Sequence, residues 1–275
     1  MFELKIPKGD LVDLVKKMSL PTGKNEFIFE TIAPKITPEG LLEWIGETQN
    51  VTAWVRAKKL DVSGINEPIR IVLNAKETLK ILSVFKKKND IITLVHDTDR
   101  GENIFTTNSE KRKRTTTIPS IVIIEMKYLQ ETFPGQLADD GVIVYSGGCR
   151  PDLHCTCNAI VFKELVAHTH SIMENKRKQE MPDIYHITFD EENKHLETIA
   201  GDVADRANKI LKDEIYIDAV SGNGAVHYAM GFPAVMGVLR GEIDLYALEG
   251  ESLWVSQQNE KFSVRYMVPP ANSEK

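Results

Sequence analysis

The sequence predicts an α+β protein made of two similar halves, each with two amphipathic helices among short antiparallel strands. The order strand, helix, several strands, helix, strands occurs twice along the 275 residues, and its period is far longer than a solenoid repeat. Four stretches place apolar residues at helical spacing, and the stretches between them alternate or end in turn residues. The halves are predicted at 1–125 and 151–275, and a linker rich in Gly, Pro and Asp at 126–150.

Composition favours a globular protein in a reducing compartment inside the cell. The chain is 42% hydrophobic and 27% charged, and no apolar run is long enough to span a membrane. The start, MFELKIPKG, alternates and does not resemble a secretion signal. The three cysteines are too clustered for a disulfide framework. The net charge of −6 argues against a protein coated in nucleic acid, but it allows lysines concentrated on one face.

In the first half, a strand at Met1–Ile6 precedes a helix that we expect Asp10 to cap. A second helix begins at the N-cap Asn74, carries a lysine face and ends in a lysine run that suits the negative end of the helix dipole. The other predicted strands of this half are Glu26–Ile32, Leu41–Gly46, Val51–Lys58, Ile69–Leu73, Ile91–His96 and Asn103–Thr107.

The second half repeats this order. Its predicted helices are Phe162–Glu174, with an apolar face, and Phe232–Arg240, with Pro233 near the first turn, where a missing N–H costs least. Its predicted strands are His154–Val161, Ile184–Phe189, His195–Ala200, Glu214–Ala219, Ala225–Met230, Glu242–Leu248, Ser252–Ser256 and Phe262–Val268.

Four segments, in this order and spacing, resemble the sliding clamps of the proliferating cell nuclear antigen (PCNA) family. They are MFELKIP at the N-terminus, GLLEWIGETQNVTAWVRAKKL (40–60), LKILSVFKKKNDIITL (79–94) and KFSVRYMVPP (261–270). The resemblance covers most of 1–110 and 155–270 and identifies the chain as a divergent member. It implies a fold of two DNA-clamp domains, each with antiparallel sheets outside and two helices on an inner face.

The resemblance also implies a function without catalysis or a cofactor. Subunits, commonly three, form a ring that encircles double-stranded DNA without reading its sequence. The ring tethers DNA polymerase and other replication and repair proteins through clamp-binding peptides, and a clamp loader opens it. The expected location is with the replicating DNA, in the cytoplasm or nucleoid, or in the nucleus of a eukaryote. Lysines near phosphates would give weak, salt-dependent attraction that permits sliding.

Three sets of residues are predicted to carry these roles. The DNA-facing residues are Lys16, Lys17, Lys76, Lys80, Lys87, Lys163 and Arg240, with the run 176–178 as a further basic segment. The partner-peptide pocket is expected between the linker and the C-terminal tail, at Tyr128, Leu129, Phe133, Met267, Val268 and Pro269. The stretch 121–153 looks longer than in the family and contains its own strand-like segment, GVIVYS. Subunit edges are expected at Lys113–Ile121 and Val203–Leu211, although the second is equally compatible with a helix.

Two alternatives remain open at this stage. One is a specialised subunit of a heteromeric clamp. The other is a metal-binding interaction module based on Cys149, His154, Cys155 and Cys157, whose thiolates and imidazole could hold zinc. The spacing lacks a C-x2-C knuckle, so buried thiols and no metal are the prediction. No catalytic motif is present, and we therefore predict that the protein is not an enzyme.

Overall fold

The computed structural model describes residues 1–23, 25–87, 89–109, 112–119, 129–130, 136–137, 143–145, 148–176, 185–200, 211–217, 219–228, 232–248 and 251–270. The chain divides into two compact units. The first consists of Met1–Gly46, Ala53–Glu131 and Asn259–Val264, and the second of Glu47–Thr52, Thr132–Gln258 and Arg265–Lys275. The predicted bounds of 1–125 and 151–275 stay a prediction, because neither unit is contiguous in sequence.

Two helices and eleven strands are found among the described residues up to 119. They are β1 (Phe2–Pro7), α1 (Lys8–Ser19), β2 (Thr31–Ile32), β3 (Lys35–Ile36), β4 (Leu42–Thr48), β5 (Val51–Ala57), β6 (Asp61–Ser63), β7 (Ile69–Arg70), β8 (Leu73–Asn74), α2 (Ala75–Val84), β9 (Ile91–Asp97), β10 (Glu102–Ser109) and β11 (Arg112–Pro119). Five of the strands form a sheet in the order β6-β1-β9-β10-β11, with β11 at its edge. Every pairing in it is antiparallel, as the sequence predicts.

The later elements repeat this plan. They are β12 (Gln136–Leu137), β13 (Ile143–Val144), β14 (Leu153–Asn158), α3 (Ala159–Lys176), β15 (Tyr185–Asp190), β16 (His195–Ala200), β17 (Leu211–Tyr216), β18 (Val220–Ser221), β19 (Gly224–Tyr228), α4 (Phe232–Val238), β20 (Glu242–Ala247), β21 (Leu253–Gln258) and β22 (Phe262–Val268). An antiparallel sheet has the order β17-β16-β15-β19, with β17 at its edge. β12 and β13 form a separate two-stranded hairpin.

Each core lies between a sheet and its helices. In the first unit, Phe2, Leu4 and Ile6 of β1 point inward at the period of a strand, and the apolar stripe of α1 is buried opposite them. In the second unit, the inner residues of β14 and β20 are buried, as are Phe162 and Leu165 of α3, and α3 contacts β14. Burying a side chain of this size contributes about 1.5–3 kcal/mol. These contacts place two helices side by side in each unit, α1 with α2 and α3 with α4.

The predicted strand at Glu26–Ile32 is mostly wrong, because only Thr31–Ile32 is a strand there. Ile28 and Phe29 donate their amides to the carbonyls of Leu20 and Ser19, at the end of α1, at 3.0 Å each. Phe29 is fully buried, with its ring 4.8 Å from that of Trp44. The segment therefore ties α1 to the core and does not continue a sheet.

Several helix ends differ from the prediction. α1 begins at Lys8, two residues before the expected cap Asp10, because Pro7 presets the backbone and the Lys8 amide donates to the carbonyl of Asp90 at 2.8 Å. α3 begins at Ala159, so 159–161 is helical and not part of the preceding strand. α4 ends at Val238 and leaves Arg240 beyond it. Among the described residues, no helix is both long and apolar enough to cross a membrane.

Candidate nucleic-acid interface and partner site

α2 presents two of the predicted DNA-facing lysines on one exposed stripe. The side chain of Asn74 accepts the amide hydrogen of Glu77 at 3.0 Å, so the predicted N-cap is confirmed. Lys76 and Lys80, four residues apart, are exposed, and Thr78 on the opposite side is buried. The sequence folds this way because the core-facing positions of the helix are small or aliphatic. The two ammonium groups are therefore available to an external anion.

The expected lysine run at the end of α2 lies outside the helix. α2 ends at Val84, with no basic residue in its last turn, and Lys87 is exposed in the loop beyond. Cations from distant parts of the chain cap the helix instead. The Lys8 ammonium donates to the carbonyl of Phe85, and the Arg114 guanidinium donates to that of Val84 at 3.0 Å. Both satisfy carbonyls that a helix end leaves without partners, at the negative end of its dipole.

Lys16 and Lys17 of α1 have different environments. Lys16 is exposed, but Lys17 is only 2% exposed, so the prediction that Lys17 faces DNA is wrong. Its ammonium lies 3.0 Å from the Asp13 carboxylate and 5.6 Å from the centroid of the Phe262 ring. Positions 10, 13 and 17 share one side of the helix, and Asp10 pairs with Lys261 at 2.7 Å. This side of α1 therefore packs on the 259–262 turn of the same unit.

The second unit offers fewer exposed cations among the described side chains. Lys163 is exposed on α3, beside the exposed Glu164 and the apolar Ile160, which is 53% exposed. Arg240 is exposed, but it donates to the carbonyls of Gly237 and Leu239 at 3.1 and 2.5 Å and so closes the end of α4. Of the basic run 176–178, residues 177 and 178 lie outside the described residues, as does the side-chain environment at 176.

The predicted partner pocket is only partly described. Tyr128 and Phe133 lie outside the described residues. Leu129 is half-buried and bridges Gly46 in the first unit. In the second unit, Met267 and Pro269 are half-buried, but Val268 is fully buried in β22. Strand alternation points Val268 into the core, so its assignment to the wall of a surface pocket is wrong.

Met267 instead packs against a cluster that the predicted pocket did not include. Ile143 and Tyr145 of the linker and Trp254 of β21 are buried together, with Tyr246, Leu248 and Met267 around them. The alternating segment GVIVYS, noted in the sequence, was the available signal for it. That signal could not show which surface the segment would cover.

The four residues of the alternative metal site do not converge. Cys155 and Cys157 point into the core from one face of β14, and Cys149 is exposed. A hydrogen bond with Cys157, together with burial, raises the pKa of the Cys155 thiol, so it stays protonated and is a poor metal ligand. His154 lies on the opposite face, where its ring stacks on that of Tyr246 at 4.6 Å. No group of three or more metal-ligating side chains is found in the described part of the chain.

Near His154, a small polar cluster covers the sheet surface. The Asp244 carboxylate accepts from the Thr156 hydroxyl at 2.6 Å and lies 3.4 Å from His154 Nε2. The hydrogen bond with His154, followed by that with Thr156, holds the pKa of Asp244 below its ordinary value. The cluster is satisfied internally.

Among the described strands, the two predicted subunit edges correspond to terminal strands of two sheets. β11 is the edge strand of its sheet and covers most of the predicted Lys113–Ile121, although 120–121 lie outside the described residues. At the other predicted edge, 203–210 also lie outside, but Leu211 begins β17, which is the edge of the four-stranded sheet. The first strand starts with the basic residues Arg112, Lys113 and Arg114, and the second contains Asp213 and Glu214. β17 also contains Lys212, so its one lysine and two acidic residues give a net charge of −1, opposite in sign to the basic start of β11.

Comparison with solved structures decides the fold. No protein-family model matches the sequence. No curated protein matches it either. The structure is nevertheless similar to A. fulgidus PCNA bound to the C-terminal region of FEN-1, with a TM-score of 0.70, 10% identity and 100% of each chain covered. The chain has the fold of a PCNA clamp.

Two further clamps give the same result. The PCNA of Entamoeba histolytica matches with a TM-score of 0.71 at 11% identity, and the PCNA2–PCNA3 complex of Sulfolobus tokodaii with 0.69 at 12%; each comparison covers 98% of both chains. The predicted resemblance and the predicted α+β clamp fold are confirmed.

Proposed function

We propose that the chain is a subunit of a DNA sliding clamp that encircles duplex DNA without sequence preference. The full-length match to the PCNA clamp fold is the observation that carries this proposal. The described exposed cations support it, because Lys16, Lys76, Lys80 and Lys163 all lie on helices. Lysine contacts to phosphate attract DNA without reading bases, which suits a protein that must slide.

The DNA-facing set in this proposal is Lys16, Lys76, Lys80, Lys87 and Lys163. Arg240 is retained only as a peripheral member, because its guanidinium already binds carbonyls of α4. Lys17 is left out because it is buried. Among the described side chains, the second unit has fewer exposed cations than the first, which favours weak contact with DNA and retention by ring closure. No catalytic role is proposed.

Subunits join in this proposal by adding β11 of one chain to β17 of the next. In the described part of the chain, each of these strands is the last in its sheet, and an edge strand can extend a sheet between chains. The basic start of β11 and the acidic residues of β17 then favour one direction of pairing. Because the two edges differ, the contact is heterologous and closes into a ring, for which we propose three copies.

The partners proposed are DNA polymerase, other replication and repair proteins with clamp-binding peptides, and a clamp loader. Their support is that a similar clamp binds the C-terminal region of FEN-1. Action with replicating DNA inside the cell follows from this role. A second candidate is a subunit of a heteromeric clamp, which the similarity to the PCNA2–PCNA3 complex favours.

Light scattering on a sizing column, over a range of protein concentrations, tests the proposed assembly. A mass of three chains that survives dilution is expected. Reversing charge at the edge with Lys113→Glu, which leaves the Arg114 cap of α2 in place, should shift the protein towards monomer at low salt. A wild-type protein that remains monomeric at all concentrations would overturn the homotrimer and favour the heteromeric clamp.

A further inference from the structure

Two linker side chains, Ile143 and Tyr145, are buried in the second unit, and we call them the plug. Ile143 is 1% exposed, Tyr145 6% and Trp254 2%. The rings of Tyr145 and Trp254 meet edge to face, with centroids 6.3 Å apart. Met267, which the sequence assigned to the partner pocket, packs against this cluster. Linker side chains therefore already occupy the apolar surface beside Met267.

Hydrogen bonds to the Tyr145 hydroxyl make its binding site specific for tyrosine. Its hydroxyl donates to the carbonyl of Ser252 at 2.8 Å and lies 3.2 Å from that of Tyr246. Burial, with smaller contributions from Glu251 and Asp152, raises the pKa of the Tyr145 phenol, so it remains a donor at physiological pH. The site thus recognises an aromatic ring that carries a hydroxyl at its far end.

In the described part of the linker, side-chain contacts hold the plug, and its strand pairs with no strand of a larger sheet. The described pairing of β13 is with β12 alone, at Leu137–Ile143 and Gln136–Val144. A two-stranded hairpin is marginal by itself in water, so its order depends on the burial of its side chains. A turn supports the tyrosine, since the Tyr145 amide donates to the carbonyl of Cys149 at 2.8 Å. Such a segment can leave without breaking the sheet of the unit.

We propose that Ile143 and Tyr145 act as an internal competitor for the partner-peptide site. A partner then binds after displacing them, and its recognised chemistry copies theirs: an aliphatic side chain followed two residues later by a tyrosine. The identity of the site as a partner site rests on the proposed clamp function, whereas its occupation by the linker does not. Because a peptide must displace Ile143 and Tyr145, peptides of low affinity do not bind.

The expected size of the effect follows from tethering. A segment on a short linker is present at an effective concentration of about 1 mM, so a peptide with the same contacts and a Kd of about 10–100 μM is weakened about 10- to 100-fold. Removing the plug should therefore raise the affinity for the peptide by about 10- to 100-fold.

The test uses the segment itself as the probe. A labelled peptide of residues 136–149, with Cys149 replaced by serine, is titrated by fluorescence anisotropy against three proteins: wild type, an Ile143→Ser/Tyr145→Ser variant and a Val144→Ser variant. Val144 lies between the two buried residues on the other side of the strand and is half-buried, so it is the matched control. We expect the double variant to bind about 10- to 100-fold more tightly than the other two proteins. A peptide carrying both serines should not bind.

Equal binding to all three proteins, or no binding to a double variant that melts cooperatively, would overturn the proposal. Should the double variant fail to fold, the Tyr145→Phe variant provides a second test of the same proposal. It keeps the ring packing and removes both hydroxyl contacts, so the peptide should bind it several-fold more tightly than wild type. Unchanged binding would contradict the role of the hydroxyl.

The proposed function is judged separately in the same samples. A trimer that binds no peptide would overturn the internal competitor and leave the clamp standing. If the protein is monomeric but its Ile143→Ser/Tyr145→Ser variant binds the peptide, the internal competitor stands and the homotrimeric clamp is overturned.

Discussion

Removing charge from the exposed stripe of α2 should weaken the binding of duplex DNA in a strongly salt-dependent way. The variant is Lys76→Gln/Lys80→Gln. Both residues are exposed, and glutamine has nearly the helix propensity of lysine, so α2 and its Asn74 cap should persist. The change removes two positive charges per subunit from the proposed DNA face and leaves the core unchanged.

The magnitude follows from counterion release. The logarithm of the binding constant falls with the logarithm of salt concentration, with a slope of about −0.9 for each phosphate contact. If the two lysines of one subunit contact phosphates at a time, the slope becomes shallower by about 1.8. The ratio of wild-type to variant affinity for DNA should then fall about 12-fold when salt rises from about 50 to about 200 mM.

Fluorescence anisotropy with a short labelled duplex measures this across a salt series. The matched control is Arg100→Gln/Lys194→Gln, which removes the same charge from two exposed hairpin turns away from the helices. The control should keep the slope of the wild type. Parallel salt dependence of wild type and the α2 variant would refute the assignment of this stripe to DNA.

Four further substitutions test individual contacts. Asn74→Ala should lower the free energy of unfolding by about 1 kcal/mol in urea melts, because α2 loses its side-chain cap, and Asn74→Ser should recover most of it. Arg114→Ala should lower it by about 0.5 kcal/mol, since the end of α2 loses a cation; a gain in stability would contradict that role. Lys17→Met should leave the salt slope of DNA binding unchanged, because this lysine is buried on Asp13. The folded pKa of Asp244 lies below its ordinary 3.8, so its carboxylate stabilises the fold at neutral pH and that contribution is lost as pH falls through the lowered value. Asp244→Asn should therefore lower Tm by a few degrees or less at neutral pH and leave it unchanged in strong acid, since the side chain is 38% exposed; a constant difference across pH would count against this reasoning.

Local patterns in the sequence predicted the elements whose causes are local. The alternation of β1, the cap at Asn74 and the core stripe of α1 depend on neighbours within a few residues, and all three are found in the structure. The strands at His195–Ala200 and Phe262–Val268 also have the predicted bounds. The clamp fold itself was predicted from the resemblance of four ordered segments to the PCNA family, together with the repeated order of the elements.

Contacts between distant segments account for what the sequence did not reveal. Lys17 resembles a surface lysine until the 259–262 turn is placed over α1. The end of α2 is capped by Lys8 and Arg114, which lie 77 and 30 residues from the carbonyls they bind. Tyr145 finds its acceptors more than a hundred residues away, at Tyr246 and Ser252. Such partners follow from the tertiary fold and not from periodicity.

The most direct test of the clamp proposal is retention on DNA whose ends are blocked. Protein is threaded onto a duplex anchored at one end, the free end is closed with a bulky protein, and the sample is washed at high salt. A clamp should stay bound through the wash and leave when a restriction enzyme cuts the duplex, because a closed ring is held by topology after its charge contacts are screened. Loss in the wash at the same rate from open and blocked DNA would contradict the account.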